Sequence, residues 1–228
     1  MSSSSSTTSF QLANQVHTSS LVPQQQSTPI SFQRKCDFYQ QCFIKHPGRS
    51  DFHSRAEHLH AALLEGNPKV TCFVPQPFMT RLNGSRYKPD CYVLEDSMRK
   101  VQELKPRGEF DDAKRIPLEQ FFSLNGMQFE VVSNESVFEH EIEAENWIEI
   151  VRTLYIAKEL DTQAEEIFVL DYCNQYRECA FGDIVDPGDR EGTFYKELAL
   201  LRLLHRGLLH ADLTDLPLDY DTRITLCT

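Results

Sequence analysis

Asp90, Glu103 and Lys105 could do chemistry together if the chain folds back on itself across the twelve residues that separate the two carboxylates. Asp90 lies in the run Tyr87-Lys88-Pro89-Asp90-Cys91-Tyr92-Val93-Leu94, and the other two lie in Val101-Gln102-Glu103-Leu104-Lys105-Pro106. Both runs are rich in apolar and β-branched residues, and the polar stretch 95–100 reads as the loop joining two antiparallel strands. Alternation puts Val101, Glu103 and Lys105 on one face of the second strand, with Gln102 and Leu104 on the other. Asp90 opens the first strand, so a hairpin returns it beside Glu103 and Lys105. Hard oxygen donors with room left for phosphate and water suit Mg²⁺. A metal so held polarises a phosphodiester and lowers the pKa of a bound water. An ordinary exposed hairpin also carries acidic and basic residues, and spacing alone does not separate the two readings.

The elements that must position these residues follow from local patterns. Ser54 to Glu65 reads as a helix, with Ser54 as N-cap, Glu57 at the third helical position and an apolar stripe of Leu59, Ala62 and Leu63. Glu57 therefore has a structural role as a capping residue. Gly66-Asn67-Pro68 stops the helix. Val70 to Val74 is a short strand, and Pro75-Gln76-Pro77-Phe78 leads to another before the Asn83-Gly84 turn. Beyond Pro106, Leu118 to Phe122 reads as a helix and Met127 to Ser133 as a strand. Further on, helices are expected over Glu135–Ala157, with Trp147 as a core residue, and over Gln163–Tyr172. A last helix, Phe194–Arg206, is capped by Gly207. Leu208-Leu209-His210 follows as a strand, and Thr222 to Leu226 as a second, edge strand. No acidic neighbour at ligand spacing accompanies His205 or His210, so neither is assigned chemistry.

Composition limits the function. The chain has 228 residues, 40% hydrophobic and 25% charged, enough for a large domain or two small ones with a buried core. No apolar run approaches the ~18 residues of a spanning helix, so no membrane role is expected. The start lacks the pattern of a secretory signal. Seven scattered cysteines suit reduced thiols in a cytosol. Residues 1–31 are rich in Ser, Thr and Gln without a charged side chain, which predicts disorder. The net charge of −11 is uneven: residues 135–191 hold 16 acidic and 4 basic side chains, whereas 32–55 and 81–115 are mildly basic. So little positive charge neutralises few phosphates, and a role on DNA would need a partner to deliver the duplex. Within 32–54, Cys36, Cys42, His46 and His53 invite zinc but lack any CxxC or HxxxH pair. The basic and aromatic residues there could lie along DNA or form an arm packed on the core. There is no Gly-rich phosphate loop, GxSxG or HExxH.

Several segments in order carry a family resemblance. Pro89-Asp90 followed by Glu103-Leu104-Lys105 looks like the PD-(D/E)xK motif of metal-dependent nucleases. Ser54-Arg55-Ala56-Glu57, Leu63-Leu64-Glu65, Asn67-Pro68-Lys69-Val70 and Gln76-Pro77-Phe78 precede it without gaps. The series is similar to the N-terminal part of TnsA-type transposon endonucleases, over about fifty residues. Lys88 departs from the family, which usually has Thr there, and His58-Leu59 replaces an Arg-Asp pair.

The resemblance implies an α/β, restriction-endonuclease-like (αβββαβ) core over residues 32–144 and a C-terminal winged-helix-like domain over 145–228. It implies a Mg-dependent endodeoxyribonuclease subunit of a heteromeric bacterial transposase, hydrolysing the 5′ strands at transposon ends. Glu57, Asp90 and Glu103 would hold one or two Mg²⁺, which Mn²⁺ can replace, with the Leu104 backbone carbonyl as a further ligand. Lys105 would orient or help deprotonate the attacking water and stabilise the phosphorane charge. The implied partners are double-stranded DNA at transposon ends, an integrase-type (TnsB-like) transposase subunit and an ATPase regulator (TnsC-like), in a bacterial cytoplasm. A stand-alone restriction- or repair-type nuclease, or a non-catalytic adaptor recruiting the transposase, are the alternatives.

Overall fold

In the computed structural model, residues 12–227 are described, and they divide into two compact units. One comprises residues 12–41, 45–61 and 69–139; the other comprises 42–44, 62–68 and 140–227. Both mix helices with sheets, as expected of an α/β chain. No helix among the described residues is long and apolar enough to cross a membrane.

The first unit is built on a four-stranded sheet of order β4-β7-β8-β9, where β4 is Val70–Pro75, β7 Cys91–Glu95, β8 Met98–Lys105 and β9 Gln128–Ser133. The first three strands pair antiparallel, and β9 joins β8 in parallel, with Lys105 beside Ser133. A parallel neighbour requires a crossover, which a helix over Asp112–Leu124 supplies, capped by the Asp111 side chain on the Ala113 N–H at 2.9 Å. That helix starts well before the expected Leu118. Pro117 lies inside it, and a Pro removes one helical hydrogen bond, but the buried Leu118 and Phe122 carry the helix across. Val74, Phe78, Tyr92, Val101, Leu118, Phe122 and Phe129 form the core. A buried Leu or Phe contributes roughly 1.5–3 kcal/mol.

The turn after β7 is shorter than the expected loop over 95–100. Asp96 and Ser97 alone connect the strands, both with positive φ (46° and 67°), the conformation of a two-residue type I′ hairpin. The predicted Asn83-Gly84 turn joins β5 (Thr80–Leu82) to β6 (Ser85–Tyr87) in the same way, with φ of 51° and 79°.

Residues 1–31 were expected to be disordered; 1–11 lie outside the described residues, and part of the remainder is structured. Val16–Thr18 is a strand, β1, pairing antiparallel with β5, and Val16 is buried in the core. The few apolar residues in this polar stretch give no periodicity to read, yet the buried Ala13 and Val16, with Leu21 packed against the core, help fasten an edge strand. Residues 30–52 hold a short helix, α1 (Ile30–Gln33), and a hairpin of β2 (Tyr39–Cys42) and β3 (Arg49–Phe52).

Helix α2 spans Arg55–Gly66, with its last turn counted in the second unit. The Ser54 hydroxyl accepts from the Glu57 N–H at 3.2 Å and donates to Glu57 Oε1 at 3.1 Å, as the capping pattern predicted. Residues three apart share a helix face, so Glu57 aligns with His60. His60 Nε2 bonds the Gln102 side-chain oxygen of β8 at 2.8 Å in the dry interior. That polar tie fixes which strand the Glu57 face of the helix overlies.

In the second unit the expected helix over 135–157 is broken at Glu139–His140; Glu141–Ile156 is the part that belongs here. Gln163–Tyr176 and Arg190–His205 follow, and Trp147 is core. Gly207 (φ 69°) closes the last helix: its N–H reaches the Leu204 carbonyl, and the Leu208 N–H reaches that of Leu203, a Schellman motif. β10 (Glu178–Ala180), β11 (Leu209–Ala211) and β12 (Arg223–Leu226) form a sheet of order β10-β12-β11. β12, expected as an edge strand, is central, because β10 lay unrecognised in a polar stretch and supplies the second neighbour.

Candidate active site

The C-terminal end of β8 and the start of β7 bring Asp90, Glu103 and Lys105 together. Cys91 pairs with Gln102, so Asp90 and Glu103 stand side by side at the mouth of the hairpin. Asp90 Oδ2 accepts the Leu104 N–H at 2.8 Å. Lys105 Nζ lies 2.9 Å from Glu103 Oε1 and 3.8 Å from Asp90 Oδ2, and donates to the Leu104 carbonyl at 3.0 Å. Alternation placed Gln102 and Leu104 opposite Glu103. The structure buries all three, because β8 is interior to the sheet.

Glu57 enters from the first turn of α2. The His53 N–H donates to its Oε2 at 3.2 Å, and Gln76 Nε2 donates to the same oxygen at 3.0 Å. Gln76 also gives its backbone N–H to the Asp90 carbonyl at 2.9 Å. It is 2% exposed, has a left-handed φ of 40°, and its side-chain oxygen is buried without a hydrogen-bond partner. A strained residue with an unsatisfied polar atom marks a place where stability has been given up.

Electrostatics tie the four groups into one unit. Burial, then the negative charges of Glu103 and Glu57, raise the Asp90 carboxyl well above its usual range, against the opposing pull of Lys105 and the Leu104 N–H. Burial raises Glu57 too, partly offset by its His53 and Ser54 hydrogen bonds and by Lys105. Burial disfavours the Lys105 charge, but Asp90, Glu103 and Glu57 outweigh it and raise the ammonium's pKa. Lys105 is therefore cationic at neutral pH, facing three carboxylates. One positive charge would not balance three fully ionised carboxylates in a water-poor site, which is why Asp90 and Glu57 hold their protons more tightly, and a divalent cation would favour their charged forms.

The donor set fits that cation: carboxylate oxygens, a backbone carbonyl and the orphaned Gln76 amide oxygen are all hard. Among the described residues no three His, Cys, Asp or Glu side chains stand as a formed metal cage. Lys105 occupies one oxygen of Glu103 and the Leu104 carbonyl, and would have to swing aside for an ion to enter.

Tyr87 went unassigned by sequence reasoning. Its hydroxyl donates to Glu103 Oε2 at 2.6 Å. Burial and the Glu103 charge drive the phenol pKa upward, so it stays a neutral donor. Its only signal was its place three residues before Asp90. His46 and His53, weighed as zinc ligands, instead bond Ser50 at 2.8 Å and Thr28 at 2.8 Å. His205, assigned no chemistry, bonds Glu65 at 2.8 Å within the second unit, a partner 140 residues away in sequence.

Comparison with models of known protein families gives no match, and comparison with curated proteins gives none either.

Proposed function

We propose that the chain is a Mg²⁺-dependent endodeoxyribonuclease with a restriction-endonuclease-like core, acting as a TnsA-type subunit of a heteromeric transposase. The observation that carries the reading is the convergence of Asp90, Glu103 and Lys105 at one end of the β7–β8 hairpin, within the electrostatic reach of Glu57. The order helix, three antiparallel strands, crossover helix and parallel strand, from α2 to β9, supports the same reading. Three helices and a small sheet of order β10-β12-β11 support a winged-helix-like second domain.

Glu57, Asp90, Glu103 and the Leu104 carbonyl would hold Mg²⁺, or Mn²⁺ in its place. The bound ion lowers the pKa of water and neutralises phosphate charge. Lys105, kept protonated by its carboxylate neighbours, suits stabilisation of charge on the phosphorane oxygens better than deprotonation of the water. Tyr87 and the Leu104 N–H orient the Glu103 and Asp90 carboxylates, and Gln76 orients Glu57. Attack of water on phosphorus breaks the bond to the 3′ oxygen, leaving a 3′-hydroxyl and a 5′-phosphate.

The shortage of positive charge around the site favours a subunit to which duplex DNA is delivered over a stand-alone nuclease. The partners proposed are transposon-end DNA, an integrase-type TnsB-like subunit and a TnsC-like ATPase, in a bacterial cytoplasm. The test is a transposon-end duplex incubated with Mg²⁺, with and without the integrase-type subunit. Nicking of the 5′ strands only when the partner is present is the expected result. Cutting by the chain alone at unrelated sites would replace this reading with that of a stand-alone nuclease.

A further inference from the structure

A cleft of about 290 Å³ opens beside the acidic centre, within the first unit. Phe32, His53, Met79, Arg86, Tyr87 and Lys88 contribute to its lining. Its chemistry differs from that of the acidic centre. Phe32 is 47% exposed and Met79 43% exposed, so an aromatic ring and a soft thioether face solvent side by side. The Phe32 ring is held edge-on to His53, centroids 4.9 Å apart, and His53 is fixed in turn by Thr28. Burial and then the Lys88 charge lower the His53 pKa, which leaves that ring neutral.

The charge in the cleft therefore comes from Arg86 and Lys88. Among the described residues neither forms an ion pair. Lys88 is half-buried, and burial lowers its pKa while Glu57 and Asp90 oppose that effect. Two cations without salt-bridge partners beside an exposed aromatic face suit a nucleotide, whose base stacks and whose phosphate carries the charge. Tyr87 links this chemistry to the acidic centre, since the residue that lines the cleft is the one whose hydroxyl donates to Glu103.

We propose that this cleft seats one unpaired nucleotide of the DNA strand being cut, its base against Phe32 and Met79 and its phosphate between Arg86 and Lys88. The inference rests on the nuclease reading for the identity of the strand. It adds that the duplex opens at the cleavage point and that this chain holds the displaced nucleotide.

The experiment compares two fluorescently labelled duplexes of one sequence, fully paired or with three unpaired nucleotides at one end. Their binding to the full chain is followed by anisotropy at low ionic strength, with Ca²⁺ replacing Mg²⁺. The unpaired end is expected to bind about tenfold more tightly, in line with one stacked base. Phe32→Ala, a change at an exposed position, should bring the unpaired duplex down to the affinity of the paired one. Arg86→Gln should weaken binding of the unpaired end and lower its salt dependence by about one phosphate contact. Equal affinities in the wild type, or a preference that survives Phe32→Ala, would overturn the proposal. Cleavage in Mg²⁺ is read separately, with the integrase-type partner added: cutting without the preference removes the cleft assignment alone, and the preference without cutting supports the cleft while removing the nuclease reading.

Discussion

The Tyr87 hydroxyl donates to Oε2 of Glu103 over 2.6 Å, and the carboxylate it serves is only 4% exposed. A buried carboxylate depends on each of its donors. Tyr87→Phe removes one while preserving the ring, and leaving a buried charged acceptor short of a partner costs on the order of 1–3 kcal/mol. A lower urea midpoint and slower cleavage are expected together. Unchanged values of both would mean that Lys105 alone holds Glu103 in place.

The raised carboxyls give a pH dependence with a definite sign. Folded Asp90 and Glu57 keep protons that the unfolded chain, with reference pKa values of about 3.9 and 4.3, has already released. Their contribution to stability therefore falls as pH rises from about 4 through their folded pKa values. In EDTA, Asp90→Asn should lose less stability than wild type over that window, and saturating Mg²⁺ should reduce the wild-type loss by binding the charged form. Parallel stability curves for the two proteins would contradict this.

Gly66 closes α2 where the second unit leaves no room for a side chain. A Cβ there would stand 2.2 Å from the indole Cε2 and Nε1 of Trp147. Gly-to-Ala in a helix usually gains up to about 1 kcal/mol, but forced overpacking costs roughly 1–3 kcal/mol. Gly66→Ala should therefore destabilise the fold and shift the fluorescence of Trp147, the chain's one Trp. A stabilised variant with native fluorescence would show that the indole gives way freely.

Asn146 pins the segment before β12 with three hydrogen bonds. Its amide donates to the Leu213 and Leu216 carbonyls and accepts the Leu218 N–H, each at 2.8 Å. Asn146→Ala leaves a buried backbone group unpaired, at a cost on the order of 1–3 kcal/mol. Hydrogen exchange should accelerate at Leu218 in particular. Protection retained there would show that the segment is held by other contacts.

What the sequence made legible was local. Ser54 and Glu57 mark a helix start by spacing alone, Asn83-Gly84 marks a hairpin, and Gly207 marks a helix end. Each depends on the conformational preference of one or two residues. Alternation also put Glu103 and Lys105 on one face, and the hairpin brought Asp90 to them. What stayed hidden depends on tertiary partners. The turns of the helix before Leu118 went unread, because the value of Pro117 as a core residue shows only once the sheet is present. β12 read as an edge because strand order is not a local property. The Glu139–His140 break contains no Gly or Pro to announce it. Tyr87 and Gln76 serve the acidic centre through single side-chain atoms, and no periodicity records where such atoms point.

The most direct measurement is strand-resolved cleavage of a transposon-end duplex in Mg²⁺, with the integrase-type partner present, comparing wild type with Asp90→Ala and Lys105→Ala. Nicks on the 5′ strands bearing 5′-phosphates are expected from wild type, with loss of about a hundredfold or more in either variant. The complex should still assemble and cut the 3′ strands. An assembled complex whose 5′-strand nicking is absent from wild type, or unaffected by Asp90→Ala, would contradict catalysis at this centre and leave the chain as an adaptor.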